Sequence, residues 1–315
     1  MTGLSCGQLL PEQGRAMTES LREALAELKS TAHNAAAHAQ SIERITWPNG
    51  ARIAVNFTAD FDAMLLRRLN NEPPMQLAKG EFGGRVGIWR LIEMFDSHRI
   101  KATVFTVGRI CELYPQALKA AVASGHELAD HMWEHRVPKE PELERDHLLK
   151  TRVALEKISG RRPVGSRSLH TPTLLRDEGY IYNSHGAPSH GPHYVLDDKG
   201  APCLIELPFH YAIDDAMFFS FAWYASKNGE QRLSDTDRVF DLWWAAFQQQ
   251  YRQGGYLNIC LHPFVSGRAL RVAMLDRLIA RMKTLPGVWF ATCEEVARHC
   301  LEKHPPEVRA ARSQA

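Results

Sequence analysis

Short apolar runs rich in β-branched residues alternate along this chain with stretches whose apolar positions recur every three or four residues. Residues 52–55 read as a buried strand that runs into Asn56-Phe57-Thr58-Ala59-Asp60-Phe61-Asp62. Strand-like runs follow at 102–107, 126–130, 163–167, 180–182, 204–207, 256–261 and 288–290. Between them the helical period predicts helices over 86–95, from Pro115 to Gly125, and over 140–158, 173–178, 235–251, 270–282 and 294–300. Residues 67–84, with Pro73-Pro74 and Gly83-Gly84, read as a long polar loop, a length uncommon unless it serves a site. Seven or eight strands alternating with helices predict an α/β fold, a single parallel (β/α) barrel. An open doubly wound sheet is the alternative, but no G-x-G-x-x-G follows a strand.

Ahead of the first strand, residues 18–29 predict a helix, with Leu21, Leu25 and Leu28 on one face. It packs on the barrel or mediates a homo-oligomer. The expected division is an N-terminal extension with one helix over 1–45, a barrel over 46–303, and a flexible tail over 304–315.

Composition narrows the function classes. A chain of 315 residues, 44% hydrophobic and 23% charged, can bury a full core. A net charge of +2 without a Lys/Arg-rich block argues against a nucleic-acid partner. The six cysteines are scattered, without C-x-x-C spacing, which fits free thiols in a reducing compartment. There is no signal-peptide pattern and no run of 18 apolar residues, so no membrane partner and a cytoplasmic location are expected.

The candidate chemistry begins with Asp60 and Asp62 at the C-terminal end of the first barrel strand, where parallel α/β folds keep their sites. His131 and His135 follow at i and i+4. Two histidines with a distant carboxylate make the donor set of an open site for Zn²⁺ or a similar ion. Taken singly, each has a plainer reading: a strand-end turn for the aspartates, cap or core positions for the histidines, a surface ion pair for Arg167. In order, Thr58 to Asp62, Gly125-His126-Glu127 with His131 and His135, Arg162-Pro163-Val164-Gly165-Ser166-Arg167 and Leu261-His262-Pro263 resemble the polysaccharide deacetylase (NodB-homology) family, the fourth class of carbohydrate esterases. The resemblance runs from about Ile53 to Ala297. Glu206-Leu207-Pro208 with Asp214-Asp215, and Gly287 to Thr292, look like its intracellular branch of peptidoglycan deacetylase-like enzymes, cyclic imide hydrolases and allantoinase-like proteins.

That resemblance implies a distorted TIM-like barrel of the NodB type. It implies that Asp62, His131 and His135 hold one divalent metal, Zn²⁺ foremost, with Co²⁺, Ni²⁺ and Mn²⁺ as alternatives. Asp60 is then the general base, Arg167 its orienting partner, and His262 the general acid, tuned by a carboxylate such as Asp241 or Asp214. The implied reaction is hydrolysis of a non-peptide C–N bond by attack of a metal-activated water on an amide or N-acetyl carbonyl. The substrate is a small amide or an amino sugar. Two further readings stand beside it: a cyclic imide or allantoin-type ring opening without metal, and a non-catalytic ligand-binding barrel. Trp133, His170, Asp214 and Asp215 are expected at the substrate pocket, although His170 stands where the family continues with Ser-Pro. His185, His190 and His193 read as solvated loop histidines, Trp243 and Trp244 as core, and Cys260 as a buried thiol.

Overall fold

The computed structural model describes residues 39–42, 44–185, 189–219 and 234–306, and the helix expected over 18–29 lies outside them. Ten described strands form one sheet: β1 (Ala39–Ser41), β2 (Ile53–Phe61), β3 (Thr103–Thr106), β4 (Glu127–Asp130), β5 (Gly165–Ser166), β6 (Tyr182–Asn183), β7 (His193–Leu196), β8 (Pro202–Glu206), β9 (Tyr256–Leu261) and β10 (Val288–Phe290). Pairing is parallel from β2 through β3, β4, β5 and β6 to β8, and β2 also takes β9 and β10 as parallel partners. A parallel bridge between Asp214 and Cys260 brings the segment after β8 alongside β9. The sheet therefore curls almost onto itself as a distorted (β/α) barrel.

β2 is buried at all nine positions, as expected of a strand with parallel neighbours on both sides and helices outside. Its two faces differ in chemistry. Ile53, Val55 and Phe57 join a cluster with Leu257, Ile259, Phe247 and Leu278 beneath the helices Thr236–Gln253 and Ala269–Met282. The alternate residues turn inward and, after Ala54, are polar. Asn56 accepts the Tyr256 hydroxyl at 2.6 Å, and Thr58 donates to the Ile259 carbonyl at 3.1 Å. Since strand side chains alternate, the same inward face delivers Asp60 to the C-terminal mouth of the barrel.

The stretch 67–84 is not a loop. It forms the helices Leu65–Leu69 and Pro74–Phe82, then a wide helical turn, Gly83–Gly87, that runs into the helix Ile88–Ser97. Pro74 starts a helix, where its missing N–H costs nothing. The glycines serve close approach: a Cβ on Gly87 would collide with the Pro263 carbonyl.

β7 was hidden by its neighbours Gly191-Pro192, which mimic a loop. It forms a hairpin with β8 through a turn in which Asp197 accepts the backbone N–H groups of Lys199 and Ala201, at 3.0 and 2.8 Å. Its other edge pairs antiparallel with β1, a strand where the N-terminal extension predicted only helix. Trp243 and Trp244 are buried in the core. Among the described residues no helix is long and apolar enough to cross a membrane.

Candidate active site

Asp60 ends the inward face of β2, opposite Phe105 of β3. Arg167, one residue past β5, donates Nη1 to Asp60 Oδ1 at 2.5 Å. Its guanidinium lies between the rings of Phe105 and Phe209, 4.2 and 4.5 Å from their centroids. Nε and Nη2 are donated to the Ser184 carbonyl and hydroxyl, both at 3.0 Å. With its stem and head so fixed, the guanidinium presents a single orientation to Asp60. Burial alone raises the Asp60 carboxyl, but the charges of Arg167, His131 and His262 and the Arg167 hydrogen bond outweigh it and hold the group at about 2.

His131 and His135 reach Asp62 from a turn rather than a helix. Met132 and His135 both adopt left-handed backbone, with φ of 66° and 58°. The Met132 N–H is donated to Asp130 Oδ1 at 2.7 Å, which pins the turn to the end of β4. The two imidazoles meet nearly perpendicular, at 89°, with centroids 4.7 Å apart. His131 Nδ1 lies 2.6 Å from the Arg167 carbonyl. A carbonyl only accepts, so the proton sits on Nδ1 and the Nε2 lone pair is left towards Asp62.

Asp62 Oδ1 lies 3.4 Å from His131 Nε2 and 3.7 Å from His135 Nε2. Both Asp62 oxygens and His131 Nε2 are buried without a hydrogen-bond partner, an expensive state for a carboxylate. Ligand bonds of about 2.1 Å in a tetrahedral site put donor atoms roughly 3.4 Å apart. The cluster fits a metal by spacing, by donor type and by its unmet acceptors. Burial lowers His131 to about 4 despite the nearby aspartates, so it is neutral, the form a metal ligand needs.

His262 follows β9. Its ring Nδ1–H and its backbone N–H go to the two oxygens of one carboxylate, Asp215, at 2.7 and 2.8 Å. Burial lowers the imidazolium, but the Asp215 charge and hydrogen bond, with Asp214 and Asp60, push it up to about 10. Its Nε2 stands 4.0 Å from Asp60 Oδ2, while His131 Nε2 approaches the same oxygen from the metal cluster at 3.8 Å. Cys260 Sγ contacts the same pair, 3.5 Å from Asp60 Oδ2 and 3.2 Å from Arg167 Nη1. An open cavity of about 510 Å³ fronts the site, walled by Leu169, Phe209, Tyr211 and Met217.

Asp60, Asp62, His131, His135, Arg167 and His262 are thus brought together. Asp214 lines the cavity, and burial raises its carboxyl to about 6. Asp215 stands behind His262 rather than in the cavity. Asp241 is exposed on the outer face of its helix, so Asp215 and Asp214 are the carboxylates beside His262. Trp133 does not line the cavity: after the left-handed Met132 it packs on Gly108, with the Arg109 guanidinium 5.7 Å from its ring. His170 is also outside the lining. Its Nδ1 meets Glu144 at 3.2 Å within the wall. His185, read as a solvated loop residue, does line the cavity, as do Phe209 and Tyr211. The Glu206-Leu207-Pro208 motif just before Phe209 was the available signal for that wall.

Residues 83–184 match the family described as polysaccharide deacetylase. A crystal structure from Mycobacterium smegmatis assigned to the polysaccharide deacetylases is 30% identical, covers 82% of this chain and 93% of its own, and superposes with a TM-score of 0.74. Peptidoglycan deacetylase of Helicobacter pylori is 27% identical over 80% of this chain and 98% of its own length. The allantoinase Puue shares the fold, with a TM-score of 0.73 at 24% identity, over 84% of this chain and 99% of its own.

Proposed function

Because this chain belongs to the polysaccharide deacetylase family, and with it to the hydrolases of carbon–nitrogen bonds other than peptide bonds, we propose that its Asp62–His131–His135 cluster holds one divalent cation and that the adjoining cavity hydrolyses an N-acetyl or other small amide. The observation that carries this reading is a buried carboxylate with two unpartnered oxygens facing two imidazole nitrogens, beside an ion-paired aspartate and opposite a protonated histidine. Zn²⁺ suits two nitrogens and one oxygen, and Co²⁺, Ni²⁺ or Mn²⁺ meet the same donors.

A bound cation supplies Lewis acidity towards a carbonyl oxygen and lowers the pKa of water. The protein's own groups divide the proton work. Asp60, its carboxyl held below the usual carboxylate range by Arg167, accepts the proton of the attacking water. Arg167 keeps that carboxylate charged and aimed. His262, protonated at neutral pH, donates from Nε2 to the departing nitrogen. Two titratable groups 4.0 Å apart with pKa values driven in opposite directions are the arrangement that assigns base and acid. A binder without turnover has no need of both.

The apolar cavity walls favour a compact substrate, an amino-sugar N-acetyl group or a small cyclic amide, over a long polymer. The five described cysteines are free, in keeping with a cytoplasmic setting. Elemental mass spectrometry of the purified protein is the first test. About one equivalent of metal in the wild type and none in His131→Ala supports the reading. Metal-free wild type that resists reconstitution, yet opens succinimide, hydantoin or allantoin, replaces it with the metal-independent ring opening. Inactivity towards these and towards N-acetylglucosamine oligomers, with metal bound, ends both.

A further inference from the structure

The short helix Pro263–Ser266 contributes Phe264 and Val265 to a second cleft, of about 260 Å³. Phe219 and four cations, Arg67, Lys79, Arg268 and Arg271, complete it, and it shares no lining residue with the cavity at Asp60. Counting the described residues alone, Arg67 is the one of the four with a carboxylate within ion-pair distance, Glu72 at 2.7 Å. Arg271 spends Nη1 on the Val265 carbonyl at 2.7 Å, and Arg268 lies over the Phe82 ring, 3.5 Å from its centroid.

Two observations make this more than a basic surface. Arg67 is only 9% exposed, and its Nε has no hydrogen-bond partner. A buried guanidinium N–H without an acceptor carries an unmet desolvation cost. The fourteen-residue helix Ala269–Met282 also begins here, with Arg268 as its N-cap and no acid in its first turn. Cations at the positive end of a helix dipole invert the favourable placement. Burial, with Arg90 nearby, lowers Arg268, and burial, with Arg268 nearby, lowers Arg271 against the raising charge of Asp215. Among the described residues, Lys79 and Arg268 line this cleft without a carboxylate at ion-pair distance.

We propose that this cleft binds a phosphate-class oxyanion, either free or as a monoester of a small apolar group. Guanidinium forks match tetrahedral oxygens in pairs, the cation count suits a dianion, and Phe219, Phe264 and Val265 form an apolar wall for a substituent. Phe264 also packs edge-on against His262, with ring centroids 5.7 Å apart. The ligand would therefore sit one side chain away from the proposed acid without entering the cavity.

The test is calorimetric titration of the full chain with inorganic phosphate and with phenyl phosphate, at an ionic strength fixed with sodium chloride. One saturable site is expected, with phenyl phosphate tighter than phosphate because of the apolar wall. The double variant Lys79→Ala/Arg268→Ala should weaken both ligands about tenfold or more, while Arg136→Ala, at the other cavity, leaves them unchanged. If the double variant melts early without ligand, Arg268→Gln alone serves, with the same direction of effect. No saturable heat for either anion overturns the proposal, as does binding that survives loss of both cations. Tighter phosphate than phenyl phosphate overturns the monoester and leaves a site for the free ion.

Discussion

Asp215 accepts both N–H groups of His262, the ring Nδ1–H on one carboxylate oxygen and the backbone N–H on the other. One aspartate therefore fixes the ring plane of His262, gives the largest push towards its protonated form, and leaves Nε2 facing Asp60. Asp215→Asn removes the largest raising influence on the imidazolium. The rate should fall by roughly 10²–10⁴, and the alkaline limb of kcat/KM should move to lower pH, because His262 loses its proton earlier. A pH–rate profile with an unmoved alkaline limb would contradict this.

Metal binding should appear as stability. A ligand that binds only the folded chain adds about 2.7 kcal/mol at a hundredfold excess over its Kd. Added Zn²⁺ should raise the melting temperature of the wild type and leave those of His135→Ala and Asp62→Asn unchanged. Without metal, Asp62→Asn should melt no lower than wild type, since its carboxylate oxygens have no hydrogen-bond partner to lose. Scanning fluorimetry with and without chelator reads both outcomes.

His170 is a wall residue rather than a pocket residue. Its partner Glu144 keeps the backbone N–H and hydroxyl of Thr171 when the imidazole is removed. His170→Ala should therefore cost about 1–3 kcal/mol of stability with KM unaltered. A rise in KM at unchanged stability would return the residue to the pocket.

Acid sensitivity should come in part from His126. Its ring Nδ1 accepts the Ala102 N–H at 3.1 Å, and burial lowers it to about 4 from 6.5. The unfolded chain binds this proton first, so the contribution is complete above pH 6.5 and is lost as pH falls towards 4. At most it amounts to about 3 kcal/mol. His126→Gln, which can still accept from Ala102, should flatten the denaturant midpoint across that window. An unchanged slope would clear His126 of the effect.

The sequence carried those features whose cause is local. Alternation along β2 and β9, the dipeptide spacing of Asp60 and Asp62, and Gly-His-Glu ahead of His131 all announce themselves within a few residues. What it did not carry depends on contacts far along the chain. Asp215 rather than Asp241 reaches His262 because the bridge from Asp214 to Cys260 draws that segment to β9. Trp133 lies beside two site histidines yet points elsewhere, because Met132 is left-handed. The glycines of 83–87 look like loop residues until Pro263 and Phe264 are seen packed against them.

Among the described strands, β2, which carries Asp60, is the one that pairs with three others, β3, β9 and β10. A slip of one residue in its pairing would turn both aspartates into the helix layer, so the site has no partly formed version. Exchange of the Ala59 and Phe61 amides should then need near-global opening, and inactivation by heat should track loss of the whole fold rather than melting of a lid.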